Sequence, residues 1–196
     1  MIAGILLAAG AASRFGADKL LQALPDGTPM AVAAARKLLQ GVDQGVAVVR
    51  AGDKELARLL GAAGMRVEVC GSAAQGMGSS LAHGVRSAGD ADGWLVALAD
   101  MPYIQGRTIR GVARLIEAGA SIAAPLHGGR RGHPVGFSRD FFNALSRLEG
   151  DRGARELLAM NSAGIRLFTC DDPGVLADID TPQDLARHTR KHGLPG

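Results

Sequence analysis

The stretch Trp94–Ala99 (WLVALA) is apolar at every position and ends against Asp100-Met101-Pro102. A strand that faces water on one side alternates apolar and polar residues, whereas one that is apolar throughout is covered on both faces. This run therefore predicts a central strand between two helical layers. Ile2–Ala8 reads as a second buried strand. Between and after these two, short apolar runs alternate with helical patterns. Thr28-Pro29 offers an N-cap and a first-turn proline for a helix through Gln40. Val46–Val49 and Arg66–Cys70 read as strands. Leu56, Leu59, Leu60 and Ala63 fall on one face of a helix starting near Asp53, and another helix is expected over Met77–Ser87. Ile109, Val112 and Ile116 mark the next helix, and Ser121–Ala124 the next strand. This βαβ rhythm predicts a mostly parallel sheet with helices on both sides.

After Pro125 the rhythm weakens. His127–Gly132 reads as a polar turn, Pro134–Phe137 as a strand, and Asp140–Arg147 and Gly153–Met160 as helices. Ile165–Cys170 is a late strand. Thr181, Pro182 and Asp184 then form a capping box with a first-turn proline, Asp standing in for the usual Glu or Gln. No internal repeat or long linker divides the 196 residues, a length that suits one well-buried domain, 1–196.

Composition excludes several function classes. No apolar run approaches the length of roughly 20 residues that spans a bilayer, so no membrane association is expected. The first run lacks a basic segment before it and meets Arg14 and Lys19 soon after, unlike a secretory signal. Cys70 and Cys170 stand alone, without the spacing of a zinc site or a disulfide framework. The expected setting is the cytoplasm. A net charge of +3 with 4% aromatic residues leaves little to track or stack a nucleic acid.

In open α/β sheets ligands lie beyond the carboxyl ends of the strands. The segments that matter are therefore Ala8–Lys19, Gly71–Ser80, Asp100-Met101-Pro102 and the residues after Cys170. The first matches neither GxxxxGK[ST] nor GxGxxG, but its small residues let backbone N–H groups approach an anion. Arg14 can present a planar fork to phosphate, and Lys19 a point charge. The ordinary alternative is a turn with two solvated cations. Gly76–Ser80 opens a helix whose free N–H groups favour anions, or it is simply a flexible turn. Asp100, at the end of a central strand, suits a hard cation shared with phosphate oxygens, or else caps a helix beginning near Ile104. Asp178 and Asp180 offer a second carboxylate if they face Asp100, and otherwise complement a helix N-terminus. The glycine-rich, basic stretches 128–134 and 150–155 can contact a second anionic substrate, or be a hairpin tip and a helix start.

In order along nearly the whole chain, LLAAGAASRFGADKLL, GMGSSL, LADMP, GGRRGHPVGF, GDRGARELL and DIDTPQDL resemble the nucleotidyltransferases that handle the molybdenum cofactor. Ala9, in LAAG, is like the cytidylyltransferases of that family, whereas the guanylyltransferases typically carry LAGG. The resemblance implies a three-layer α/β/α Rossmann-like nucleotidyltransferase fold. It implies transfer of CMP from CTP to the terminal phosphate of molybdopterin, with release of pyrophosphate. By the same resemblance Leu7, Ala8, Ala9, Gly10, Gly76, Ser79 and Ser80 would hold the nucleotide. Arg14 and Lys19 would bind its triphosphate and, with Asp100, form the catalytic set. Asp100 and Asp180 would hold Mg²⁺, and Arg131, His133, Asp151 and Arg152 would face the pterin. A recipient molybdoenzyme or its maturation chaperone is the macromolecular partner so implied. The rival readings are transfer from GTP or to another phosphorylated acceptor, an NAD(P)H-dependent oxidoreductase of the nicotine-blue type, and a non-catalytic molybdopterin chaperone.

Overall fold

The computed structural model describes residues 1–10, 19–181 and 183–184, with the side chain of Arg152 left out. Its strands are β1 (Ile2–Leu7), β2 (Gln44–Arg50), β3 (Arg66–Cys70), β4 (Gly93–Leu98), β5 (Ile122–His127), β6 (Arg130–Arg131), β7 (Val135–Ser138) and β8 (Ile165–Thr169). The α-helices among the described residues are α1 (Met30–Leu39), α2 (Lys54–Ala62), α3 (Met77–Ser87), α4 (Gly106–Glu117), α5 (Phe142–Leu145) and α6 (Arg155–Met160).

The eight strands form one sheet in the order β3-β2-β1-β4-β7-β5-β6, with β8 also on β5. The β3-β2-β1-β4 half is parallel throughout. β7 lies antiparallel between β4 and β5, whereas β8 pairs with β5 in parallel. Strand periodicity sorts the core into two layers. Ile2, Leu6, Ala47, Val49, Leu95 and Ala97 pack with α1, α2 and α4 on one face. Ala3, Ile5, Val46, Val48, Trp94 and Val96 pack with α3 and α5 on the other, with Leu157 and Leu158 of α6 at its border. This is the expected three-layer α/β architecture. The chain runs outward from β1 through β2 to β3 and returns to β4 on the other side of β1. The switch point, and with it the ligand crevice, falls at the carboxyl ends of β1 and β4.

Several local expectations change. Thr28 does not cap α1. Pro29 holds that position, without a side-chain cap, because residues 22–30 form a small antiparallel bridge in which Met30 N–H donates to Gln22 O at 2.9 Å. The segment around 140–147 is a 3₁₀ turn followed by a four-residue α5. α6 starts only at Arg155, since Gly153 has φ +52°, outside helical backbone. The polar turn at 127–132 is a hairpin, β5–β6, whose two tip residues Gly128 and Gly129 have φ of +54° and +74°. Such paired positive angles define the tight turn that matches strand twist, and glycine enters it without strain. The expected capping box forms: Thr181 N–H donates to Asp184 Oδ2 at 2.9 Å and Asp184 N–H to Thr181 Oγ1 at 3.1 Å.

Candidate active site

The chain leaves β1 pinned between its two neighbours. Ala8 N–H donates to Val48 O at 2.9 Å, and Ala99 N–H to Leu7 O at 3.1 Å. Ala8 and Ala9 are buried on opposite faces of the sheet and Gly10 is exposed. Arg14 falls outside the described residues.

Lys19 re-enters on a 3₁₀ turn, 9% exposed overall. Its Nζ donates to Asp100 Oδ2 at 3.0 Å and to Asp180 Oδ1 at 2.7 Å. Asp100 follows β4, and its backbone oxygen accepts the N–H of the buried Ile179 at 3.1 Å. That bond sets the register of 178–180 so that Asp180, not the exposed Asp178, meets Lys19. Burial by itself would lower the Lys19 pKa. Hydrogen bonds to Asp180 and Asp100 and their negative charges outweigh it, raising the ammonium above its ordinary value. The second oxygen of Asp100, Oδ1, is sealed from solvent and has no hydrogen-bond partner among the described residues. A buried acceptor left unsatisfied is costly in a finished structure and suits a site that receives a donor or a cation with its ligand. Asp100 does not cap α4. That work falls to the buried Asp172, whose Oδ2 accepts from Gln105 N–H at 2.9 Å and Thr108 Oγ1 at 2.6 Å.

Beside this cluster lies a cleft of about 460 Å³, within the size range of small-ligand sites. Its floor is the carboxyl end of the sheet, where Leu7, Ala9, Gly10, Lys19, Leu98 and Asp100 come together, and Asp180 closes one side. Gly76, Met77 and Ser80 form the wall at the start of α3. Gly76 has φ +124°, and a Cβ there would overlap Asp151 Oδ1, so the glycine is what allows residues 150–151 to close on the loop. A Cβ on Gly78 would lie 2.8 Å from the carbonyl oxygens of both Glu149 and Gly150. This packing carries Asp151 to the cleft, although it is far from the strand ends in sequence.

The remaining candidates are placed differently. Ser79 is buried, its Oγ without a partner, and does not line the cleft. Arg131 is exposed on β6. His133 is half-buried with Nδ1 sealed and unpartnered, and neither it nor Arg131 lines the cleft. Burial lowers the His133 imidazole pKa, against the pull of Asp100 and Asp178. The Arg152 side chain is outside what is described. Arg50 is a cleft residue that the loop motifs did not indicate. It ends β2, its Nε and Nη2 donating to the two Asp53 oxygens at 2.9 and 3.2 Å. It lines both this cleft and a smaller neighbouring cavity of about 150 Å³. The strand-end rule covers it, since it follows Val49 as Asp100 follows Ala99.

A small-residue strand end, a lysine between two aspartates and a helix start open onto one crevice at the switch point of a Rossmann-like sheet. Residues 4–166 match the MobA-like NTP transferase domain, and the chain belongs to that family. It is 31% identical over 192 residues to the purine catabolism protein PucB of Bacillus subtilis, covering 92% of each chain. It is equally 31% identical, over 194 residues and 95% of each chain, to the nicotine blue oxidoreductase of Paenarthrobacter nicotinovorans. Among solved structures it resembles the manganese complex of Rv0371c from Mycobacterium tuberculosis, with TM-score 0.71 and 28% identity over 95% of this chain and 96% of that one. No helix among the described residues is long and apolar enough to cross a membrane.

Proposed function

We propose that the protein transfers CMP from CTP to the terminal phosphate of molybdopterin, releasing pyrophosphate. The observation that carries this reading is the Lys19–Asp100–Asp180 cluster lining the cleft, at the switch point of the sheet. The donors fit a divalent cation: two carboxylates converge, and the Asp100 oxygen Oδ1 is buried and unpartnered. Hard oxygen ligands of this kind suit Mg²⁺, which commonly completes its shell with water and substrate phosphates. Asp100 and Asp180 would hold that ion, and when bound it would neutralise phosphate charge and the charge developing on pyrophosphate.

The chain's own residues then have separable tasks. The backbone of Ala8–Gly10 receives the base, and the N-terminus of α3 at Gly76–Ser80 faces the nucleotide, with the first-turn N–H groups of residues 77–79 turned to its phosphates. Lys19, with Arg14, offsets the repulsion between two polyanions. The acceptor phosphate attacks the α-phosphorus in line and the bond to pyrophosphate breaks. A phosphate monoester with a second pKa near 6 is already largely dianionic at neutral pH, so no general base is required. The acceptor approaches from the side of Asp151, with Arg131, His133 and Arg152 as its outer contacts.

One relative favours a second reading on the same fold, reduction of a pigment-like substrate by NAD(P)H, because it is named nicotine blue oxidoreductase. Pyrophosphate release with molybdopterin across the four NTPs decides between them. CTP should support release at the highest kcat/KM. A preference for GTP overturns the base assignment. Metal-independent oxidation of NADPH by a quinonoid dye, without pyrophosphate release, overturns the transferase reading.

A further inference from the structure

We infer that Lys19 is an internal stand-in cation, which keeps a divalent metal off the carboxylates until the nucleotide arrives. The inference rests on the nucleotidyltransferase reading. It adds a binding order set by one side chain.

The geometry is asymmetric in a telling way. The Lys19 ammonium sits between Asp100 Oδ2 and Asp180 Oδ1, at 3.0 and 2.7 Å, in the bridging position where the two carboxylates would otherwise share a cation. The lysine side chain is only 10% exposed, whereas Asp180 is 49% exposed and Asp100 25%. Ammonium and metal ion therefore compete for the same oxygens. A lysine paired this way is no ordinary surface bridge of small value, because its charge is withdrawn from water and has two carboxylates as compensation.

The backbone that carries the carboxylates is held in place. Asp100 lies two residues beyond β4, and Ile179, buried beside Asp180, is bonded to the Asp100 backbone oxygen. The lysine can move, having a flexible four-carbon stem and three rotatable donors. Both Lys19 and Asp100 line the cleft. A triphosphate there offers the ammonium a more highly charged anionic partner, so it turns from carboxylate to phosphate. Both carboxylates are released to the metal in the same event, and the unpartnered Asp100 Oδ1 then gains its partner. Metal and nucleotide thus bind together, each strengthening the other, because each is needed to relieve what the other leaves unpaired.

The test is titration of Mn²⁺ followed by the loss of the free-ion paramagnetic resonance signal, with and without CTP and relative to protein-free CTP, which itself chelates Mn²⁺, on the wild type, Lys19→Met, Lys19→Arg and Asp100→Asn. Circular dichroism checks that each variant is folded. In the wild type Mn²⁺ alone should bind weakly, and CTP should tighten it. Lys19→Met should bind Mn²⁺ alone about tenfold tighter or more, as expected for removing a positive charge some 3 Å from the ligand oxygens. It should also lose most of the mutual strengthening with CTP. Lys19→Arg keeps the charge and should bind Mn²⁺ alone as weakly as the wild type, which separates the charge from any loosening of the fold.

Equal or weaker Mn²⁺ binding by Lys19→Met overturns the inference. So does an Asp100→Asn variant that binds Mn²⁺ as tightly as the wild type when CTP is present, because the ion would then lie elsewhere. Failure of the underlying reading has a different signature: no nucleotide alters Mn²⁺ binding to the wild type, while Lys19→Met still gains affinity for the ion alone. That result would leave Lys19 as the cation stand-in of a site that does not take nucleotides.

Discussion

Gly76→Ala tests whether contact between two distant loops builds the cleft. Gly76 has φ +124° with ψ 179°, a region that only glycine enters freely. An L-residue held there costs about 1–3 kcal/mol. Its Cβ would also overlap the Asp151 carboxylate, and the Gly150 carbonyl carbon is only 2.5 Å away, so backbone as well as side chain must give way. If the loop stays where it is, strain and overlap together reach about 3 kcal/mol, and for a chain of this size the melting temperature falls by about 6–12 °C. If the 150–151 turn swings out instead, the melting temperature changes less, but the wall that carries Asp151 and the start of α3 is lost. CTP affinity in the presence of Mg²⁺ then falls. Thermal denaturation by circular dichroism and CTP binding by calorimetry read the two outcomes separately. Gly71→Ala is the control, because a Cβ there meets nothing within 4 Å. A Gly76→Ala protein that melts with the wild type and binds CTP equally well would refute the reasoning, since neither loop would then depend on the other.

Three other perturbations probe the support of the site and its chemistry. Asp172→Ala removes an acceptor for Gln105 N–H, Thr108 Oγ1 and Gly174 N–H inside the protein, and should cost about 3–5 kcal/mol in urea denaturation. Asp100→Asn should lower pyrophosphate release by about a thousandfold without unfolding the chain, and near-wild-type turnover would remove Asp100 from the chemistry. His133 has its folded pKa lowered from 6.5 by burial, against Asp100 and Asp178 and with Arg131. The unfolded chain therefore binds the extra proton first, and stability should fall as the pH drops below about 6.5. His133→Gln should flatten that part of the profile in urea midpoints compared between pH 7.5 and 5.5, and an unchanged slope would assign it to other groups.

The first half of the fold was legible because its information is local. The continuous apolar run at β4, the i, i+3, i+4 spacing of α2 and the bounds of β3 and α3 follow from neighbours within a few residues. In the second half the strands were legible but their pairing was not, because β7 enters the sheet antiparallel between β4 and β5, and strand order leaves no trace in periodicity. α5 and α6 fall where helices were expected but are shorter, for a related reason. Their segments are shaped by what they cover, with Leu145 buried against Trp94 and its neighbours, more than by helical propensity. At the site, the strand-end rule led to Asp100 and the small residues of 8–10. The choice of Asp180 over Asp178 depended on a backbone bond between Ile179 and Asp100, which no spacing encodes. Arg50 was legible by the same rule, but nothing in its immediate neighbourhood looks like a phosphate loop.

The Lys19–Asp180 bond joins positions 161 apart. Closing a loop of that length costs chain entropy, and neither end is part of a strand. The carboxylate pair is therefore expected to assemble after the sheet. A chain that has formed its sheet but not docked 172–180 has native secondary structure and lacks the carboxylate pair proposed to hold the cation. During refolding, Mn²⁺ uptake should consequently lag behind the far-ultraviolet signal, and the ligand becomes a clock for the final docking step.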